Sequence, residues 1–116
     1  MDDVFVSFIH EQLHQAEAVQ RLLTAKFDRK VFLSADPWQV FAGENWLERI
    51  REELGACRVV VLLLSLDSVR RPWINFEAGA AWLAGKIVIP VVFGGLELTA
   101  LPKPYSSLQA IELPSG

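Results

Sequence analysis

The segment RVVVLLLS, Arg58 to Ser65, is apolar at every position between its ends. Successive side chains of a strand point to opposite faces, so a strand with no polar face must be covered on both sides. That demand is met in the interior of a parallel sheet flanked by helices. IVIPVVF, Ile87 to Phe93, makes the same demand, so two such strands are expected. The longest purely apolar run, Val59 to Leu64, is far too short to span a bilayer.

The remaining segments fit around these strands. VFVSFI (Val4 to Ile9) is β-rich, and after it Ala16, Val19, Leu22 and Leu23 fall on one helical face. KVFLS (Lys30 to Ser34) is a second short strand, followed by a long loop, ADPWQVFAGEN, punctuated by Pro37 and Gly43. Trp46, Leu47, Ile50 and Leu54 restore helical spacing up to Gly55, with Asn45 as N-cap and Glu48 completing a capping box. A further helix begins near Trp73, GGLELTALPKPY reads as a loop with one helical turn, and LQAIEL (Leu108 to Leu113) is a last strand. Strands and helices alternate throughout, which predicts a parallel sheet with helices on both faces.

At 116 residues this is one domain, and a hydrophobic fraction of 52% is enough for a substantial core. Lys and Arg number 11 against 14 for Asp and Glu, a net charge of -3, which argues against a nucleic-acid or anionic-membrane surface. Cys57 is alone, so neither an intrachain disulfide nor a cysteine metal cluster can form, and a reduced, cytoplasmic compartment fits best. MDDVFVSF is acidic and leads straight into a strand pattern, unlike a signal peptide.

Open α/β sheets bind ligands outside the carboxyl ends of their strands. Those ends contribute Phe8, Ile9 and His10, the loop from Ala35 to Glu44, and Ser65 to Arg71. The helix after Arg71 starts on the same edge, and there a carboxylate, Glu77, interrupts an apolar surface four residues after Trp73. The spacing puts both on one helix face. Phe76, Ala80 and Leu83 form a second stripe, and Ala78 with Trp82 a third. Position leaves two roles open for Glu77: a solvated or Arg70/Arg71-paired residue favoured by the helix dipole, or a functional carboxylate. His10 and His14 have metal-ligand spacing without a third ligand close by, so no metal site is expected. Cys57 reads as a small core residue, and Gly94–Gly95 lacks the spacing of a dinucleotide fingerprint. A response-regulator receiver would need paired acidic residues after the first strand, and VFVSFI supplies none.

Taken in order, DVFVSF, VFLSAD…AGENW, VVVLLLS, PWINFE and IVIPV resemble the successive boxes of a Toll/interleukin-1 receptor (TIR) domain over nearly the whole chain, and WINFEAGAA is most similar to the bacterial, NAD-cleaving type. The resemblance implies a flavodoxin-like open sheet of about five strands. It also implies one of two activities, because the family divides between NAD-cleaving enzymes and adaptors that only self-associate. In the enzymes a Glu four residues after a Trp on this helix is catalytic, a match that falls on Glu77 with Trp73. The implied enzyme is an NAD+ glycohydrolase, with NAD+ as substrate, no cofactor, and ADP-ribose or a cyclic ADP-ribose as product. Phe8, His10, Trp46 and Trp73 are its expected substrate contacts, with plain core packing the alternative for both tryptophans, since Trp46 also fits the apolar stripe of its own helix. Trp38, Val40, Phe41 and Gly43 lie in the loop that members of the family pack against a neighbouring TIR domain. The implied setting is a cytoplasmic oligomer or filament acting as effector in bacterial anti-phage defence. The family usually closes with a further helix, whereas this chain stops at LPSG, so the resemblance implies a fragment continued by another domain, such as a sensor. A non-catalytic adaptor is the alternative. A nucleoside deoxyribosyltransferase is another, since its E-x-G-x-A helix resembles FEAGAA and would use Glu77 as nucleophile.

Overall fold

Every strand of the sheet runs parallel, in the order β2-β1-β3-β4-β5. The computed structural model describes residues 3–35, 44–101, 105, 108 and 110–112. The strands are β1 (Val4–Phe8), β2 (Val31–Ala35), β3 (Val59–Leu64), β4 (Ile87–Val92) and β5 (Ile111–Glu112). The helices are α1 (Leu13–Phe27), α2 (Glu44–Ala56) and α3 (Pro72–Leu83), with 3-10 turns at His10–Gln12, Ser68–Arg70 and Leu98–Ala100.

The strand order follows from the handedness of parallel crossovers. The step from β1 to β2 runs one way along the sheet, and the steps to β3 and β4 run the other way, so α1 lies on one face and α2 with α3 on the other. Two core layers result. Val4, Val6, Phe8, Val61 and Leu63 pack beneath Ala16 of α1. Phe5, Val60, Leu62 and Leu64 pack against Ile50 and Leu54 of α2 and Ile74, Ala78 and Ala81 of α3. β3 is buried from Val60 to Leu64, as its two-sided apolar sequence demands. Each Val, Leu, Ile or Phe buried in these layers contributes about 1.5–3 kcal/mol by leaving water.

Several local expectations are corrected. Leu22 and Leu47 are exposed, whereas Ala16, Val19 and Leu23 of the first stripe and Ile50 and Leu54 of the second meet the core. α2 starts at Glu44, so Asn45 lies inside the helix and is not its N-cap. Among the described residues the last strand is shorter than expected, Ile111 and Glu112 being the ones that pair with β4. The stripe of Phe76, Ala80 and Leu83 splits: Phe76 is 64% and Leu83 81% exposed, while Ala80 is half-buried against the core. α3 is apolar nearly all round, so its periodicity could not tell which face is covered. Ile74, Glu77, Ala78 and Ala81 are the buried ones. Gly94 and Gly95 both have positive φ and turn the chain after β4. That is a backbone role that glycine fills without steric cost.

Candidate active site

Pairing between β1 and β2 matches Ser7 with Ser34, so the two hydroxyls stand side by side one residue before the strands end. They are on the α2/α3 face, where their neighbours Phe5 and Phe32 are core residues. α3 begins on the same edge, with Pro72 in its first turn and its fixed φ already suited to a helix. Its second turn lowers Glu77 onto the two serines. Ser7 Oγ donates a hydrogen bond of 2.6 Å to Glu77 Oε1. Ser34 Oγ donates one of 2.7 Å to Glu77 Oε2. All three residues are 0% exposed. Glu77 is therefore neither a solvated helix residue nor open to the ligand edge. It is an internal carboxylate with both oxygens hydrogen-bonded, which answers the cost of burying it.

The rim of this site is tied together from the loops. Ser65 N–H donates to Ser68 Oγ at 2.8 Å, Ser68 Oγ donates to the Leu63 carbonyl at 2.9 Å, and Gln12 Nε2 donates to Ser65 Oγ at 2.6 Å. These bonds clamp the turn after β1 to the turn after β3. Arg71 pairs with Glu11 at 2.5 Å and Asp67 at 3.3 Å, and His10 Nδ1 approaches Glu11 at 3.0 Å. A hydrogen bond from its own backbone and the Arg71 guanidinium hold the Glu11 carboxyl below the usual range, partial burial opposing them. Arg71 is raised in turn by Glu11. Asn75 fixes the start of α3: its Nδ2 donates to the Val69 and Arg71 carbonyls, and its Oδ1 accepts from the Tyr105 hydroxyl.

The expected contacts separate in the structure. Trp73 is half-buried against the α2/α3 core and stacks on Phe76 with ring centroids 5.6 Å apart. Its indole N–H is buried without a partner among the described residues. His10 is at the carboxyl edge, in the turn after β1. Phe8 is a correction: at 1% exposure it belongs to the core beneath α1, on the opposite face of the sheet from Glu77. Strand alternation sends Phe8 away from the face that Ser7 occupies. Trp46 lies in the first turn of α2, and its side chain is outside the described residues, as are Trp38, Val40, Phe41 and Gly43. The serines are functional candidates that sequence reasoning missed. Their signal was a lone hydroxyl at the fourth position of VFVSF and of VFLSA, in strands otherwise almost wholly apolar. Cys57 is buried, which pushes its thiol up.

A cavity of about 660 Å³ opens on the other flank of α3, lined by residues including Asn75, Gly79, Trp82 and Tyr105. Among the described residues, no three His, Cys, Asp or Glu converge as metal ligands, and no helix is long and apolar enough to cross a membrane.

The TIR domain family matches this sequence over residues 4–116. The chain belongs to the TIR domain family. Its fold is shared by the TIR domain of the Toll-related receptor TRR-2 from Hydra magnipapillata, at 12% identity and a TM-score of 0.73, covering 97% of this chain and 84% of that one. A metazoan TIR-STING receptor from C. gigas is also similar, at 19% identity and a TM-score of 0.73, over 96% of this TIR domain and 37% of the receptor chain. So is a 2-deoxyribosyltransferase from Bacillus psychrosaccharolyticus, at 18% identity and a TM-score of 0.67, over 97% of this chain and 85% of the enzyme. No curated protein sequence matches the chain.

Proposed function

We propose that this TIR domain is an NAD+ glycohydrolase of the bacterial type, in which Glu77 acts on the nicotinamide ribose. The observation that supports this reading best is the buried carboxylate itself, four residues after Trp73 and held by two serine hydroxyls at the carboxyl edge of the sheet. Glycoside hydrolysis ordinarily needs a second carboxyl to protonate an oxygen leaving group. Nicotinamide is bound in NAD+ as a pyridinium and leaves as a neutral molecule, so no acid is required. What remains is to stabilise an oxocarbenium-like ribose, for which one preorganised anion in a dry site is suited. The indole of Trp73 offers a planar wall beside it.

A carboxylate with no exposure is silent until the edge above it opens. Self-association through the segment holding Trp38, Val40, Phe41 and Gly43 would supply a second wall and fix the geometry between substrate and Glu77. The domain would then be the effector of an anti-phage defence system, switched on when a fused or associated sensor clusters it. The likeness to a 2-deoxyribosyltransferase favours one other reading, transfer of a deoxyribosyl group through Glu77 as nucleophile.

Incubation with NAD+ and, separately, with a deoxynucleoside distinguishes the two. The expected result is release of nicotinamide from NAD+ and no base release from the deoxynucleoside. Glu77→Gln, which keeps the shape, should lower NAD+ turnover ~10²-fold or more. Turnover undiminished in that variant would remove Glu77 from the chemistry.

A further inference from the structure

We infer that Ser7 and Ser34 are positioning residues for Glu77, an assignment that rests on the NAD-cleaving reading above and extends it to the strands beneath the carboxylate. Each hydroxyl engages a different oxygen, Oε1 at 2.6 Å and Oε2 at 2.7 Å, so the plane of the carboxylate is fixed by two points. A glutamate side chain otherwise has three rotatable bonds to lose. The two hydroxyls belong to matched positions of neighbouring strands, so their spacing is set by the sheet and not by loops. Sites built on such elements hold geometry better than sites on loops. Among the described residues, neither serine hydroxyl has another hydrogen-bond partner. Each is completely buried on a face that otherwise holds apolar core, where alanine would suffice were it not for the carboxylate oxygen that each hydroxyl meets.

The two are not equivalent. Ser7 is on β1, which is paired on both sides. Ser34 is on β2, at the edge of the sheet and directly before the segment assigned to self-association. Ser7 is accordingly the stiffer anchor, and its loss should be the larger.

The test compares Ser7→Ala and Ser34→Ala with the unaltered chain in steady-state NAD+ cleavage, at a protein concentration where that chain turns over. Each should fold and lower kcat about 10- to 100-fold, the loss expected for one hydrogen bond to a charged group, with KM little changed. Ser→Thr at either position keeps the hydroxyl and should recover much of the loss. In the Glu77→Gln background neither Ala change should lower the residual rate further. Unchanged kcat, a loss confined to KM, or an equal loss in the Glu77→Gln background would overturn the assignment. A urea-unfolding cycle reads the same contacts without any substrate. Ser7→Ala should lower the midpoint more with Glu77 present than in the Glu77→Gln background. Additive effects there would also overturn it. Intact coupling in a chain that does not cleave NAD+ would instead remove the NAD-cleaving reading alone.

Discussion

Glu77 and Glu11 are both acidic residues near one edge of the sheet, and their surroundings treat them oppositely. Glu77 is enclosed and hydrogen-bonded by Ser7 and Ser34, whereas Glu11 is on the rim, paired with Arg71. The Glu11 carboxyl is held below its ordinary value, first by its own backbone hydrogen bond and then by Arg71, with burial opposing. A lowered carboxyl contributes stability that is present above the ordinary carboxylate range, about pH 4.3, and is lost as pH falls through the folded value. Arg71→Gln should therefore move the Glu11 titration up towards the ordinary value but not all the way, because the backbone contribution remains. An NMR titration of the Glu11 carboxyl in both proteins checks this, and an unmoved titration would mean that the pair does not persist in solution. Glu77 stands out in the sequence as a charge on an apolar surface. Its serine partners do not, because the match of Ser7 with Ser34 depends on a strand pairing that no local pattern encodes.

At the scale of elements, the strands were the legible part. VVVLLL and IVIPVV demand interior strands, and both lie between two neighbours, although β4 is covered less completely, with Ile87 61% exposed at its start. Helices were legible in existence and not in orientation. In α3 nearly every residue is apolar, so the sheet beneath it decides that Ile74, Ala78 and Ala81 go inward and Phe76 and Leu83 outward. Gly79 belongs to the same helix and has open space where a Cβ would be. Glycine inside a helix costs about 0.5–1 kcal/mol relative to alanine. Gly79→Ala should thus stabilise the domain by roughly that amount, measured as a higher urea midpoint. A loss of stability would mean that the cavity beside α3 is narrower in solution than it is here.

For the whole molecule, the reading of activity by assembly makes a kinetic claim. If a neighbouring domain completes the pocket, NAD+ turnover per subunit should rise steeply with protein concentration, since the rate depends on the fraction of subunits in contact. Head-to-tail contacts that do not close into a ring would extend as filaments. Trp38→Ala with Phe41→Ala should flatten the dependence without unfolding the chain. A specific activity that is independent of concentration and untouched by these changes would exclude the mechanism. The expectation rests on sequence alone, on an apolar segment long for a strand-to-helix connection whose residues 36–43 lie outside the described ones.

The sheet order also fixes how long each part of the site lasts between local openings. β1 and β3 have partners on both sides, and their amides should be among the last to exchange with deuterated water, whereas an edge strand frays on a far shorter time. Ser7 belongs to the slow interior and Ser34 to the edge, so the carboxylate between them bridges two regions with unequal lifetimes. A small fluctuation at the margin of the fold is thus enough to part Ser34 from Glu77, whereas Ser7 parts from it only when the centre of the sheet comes apart.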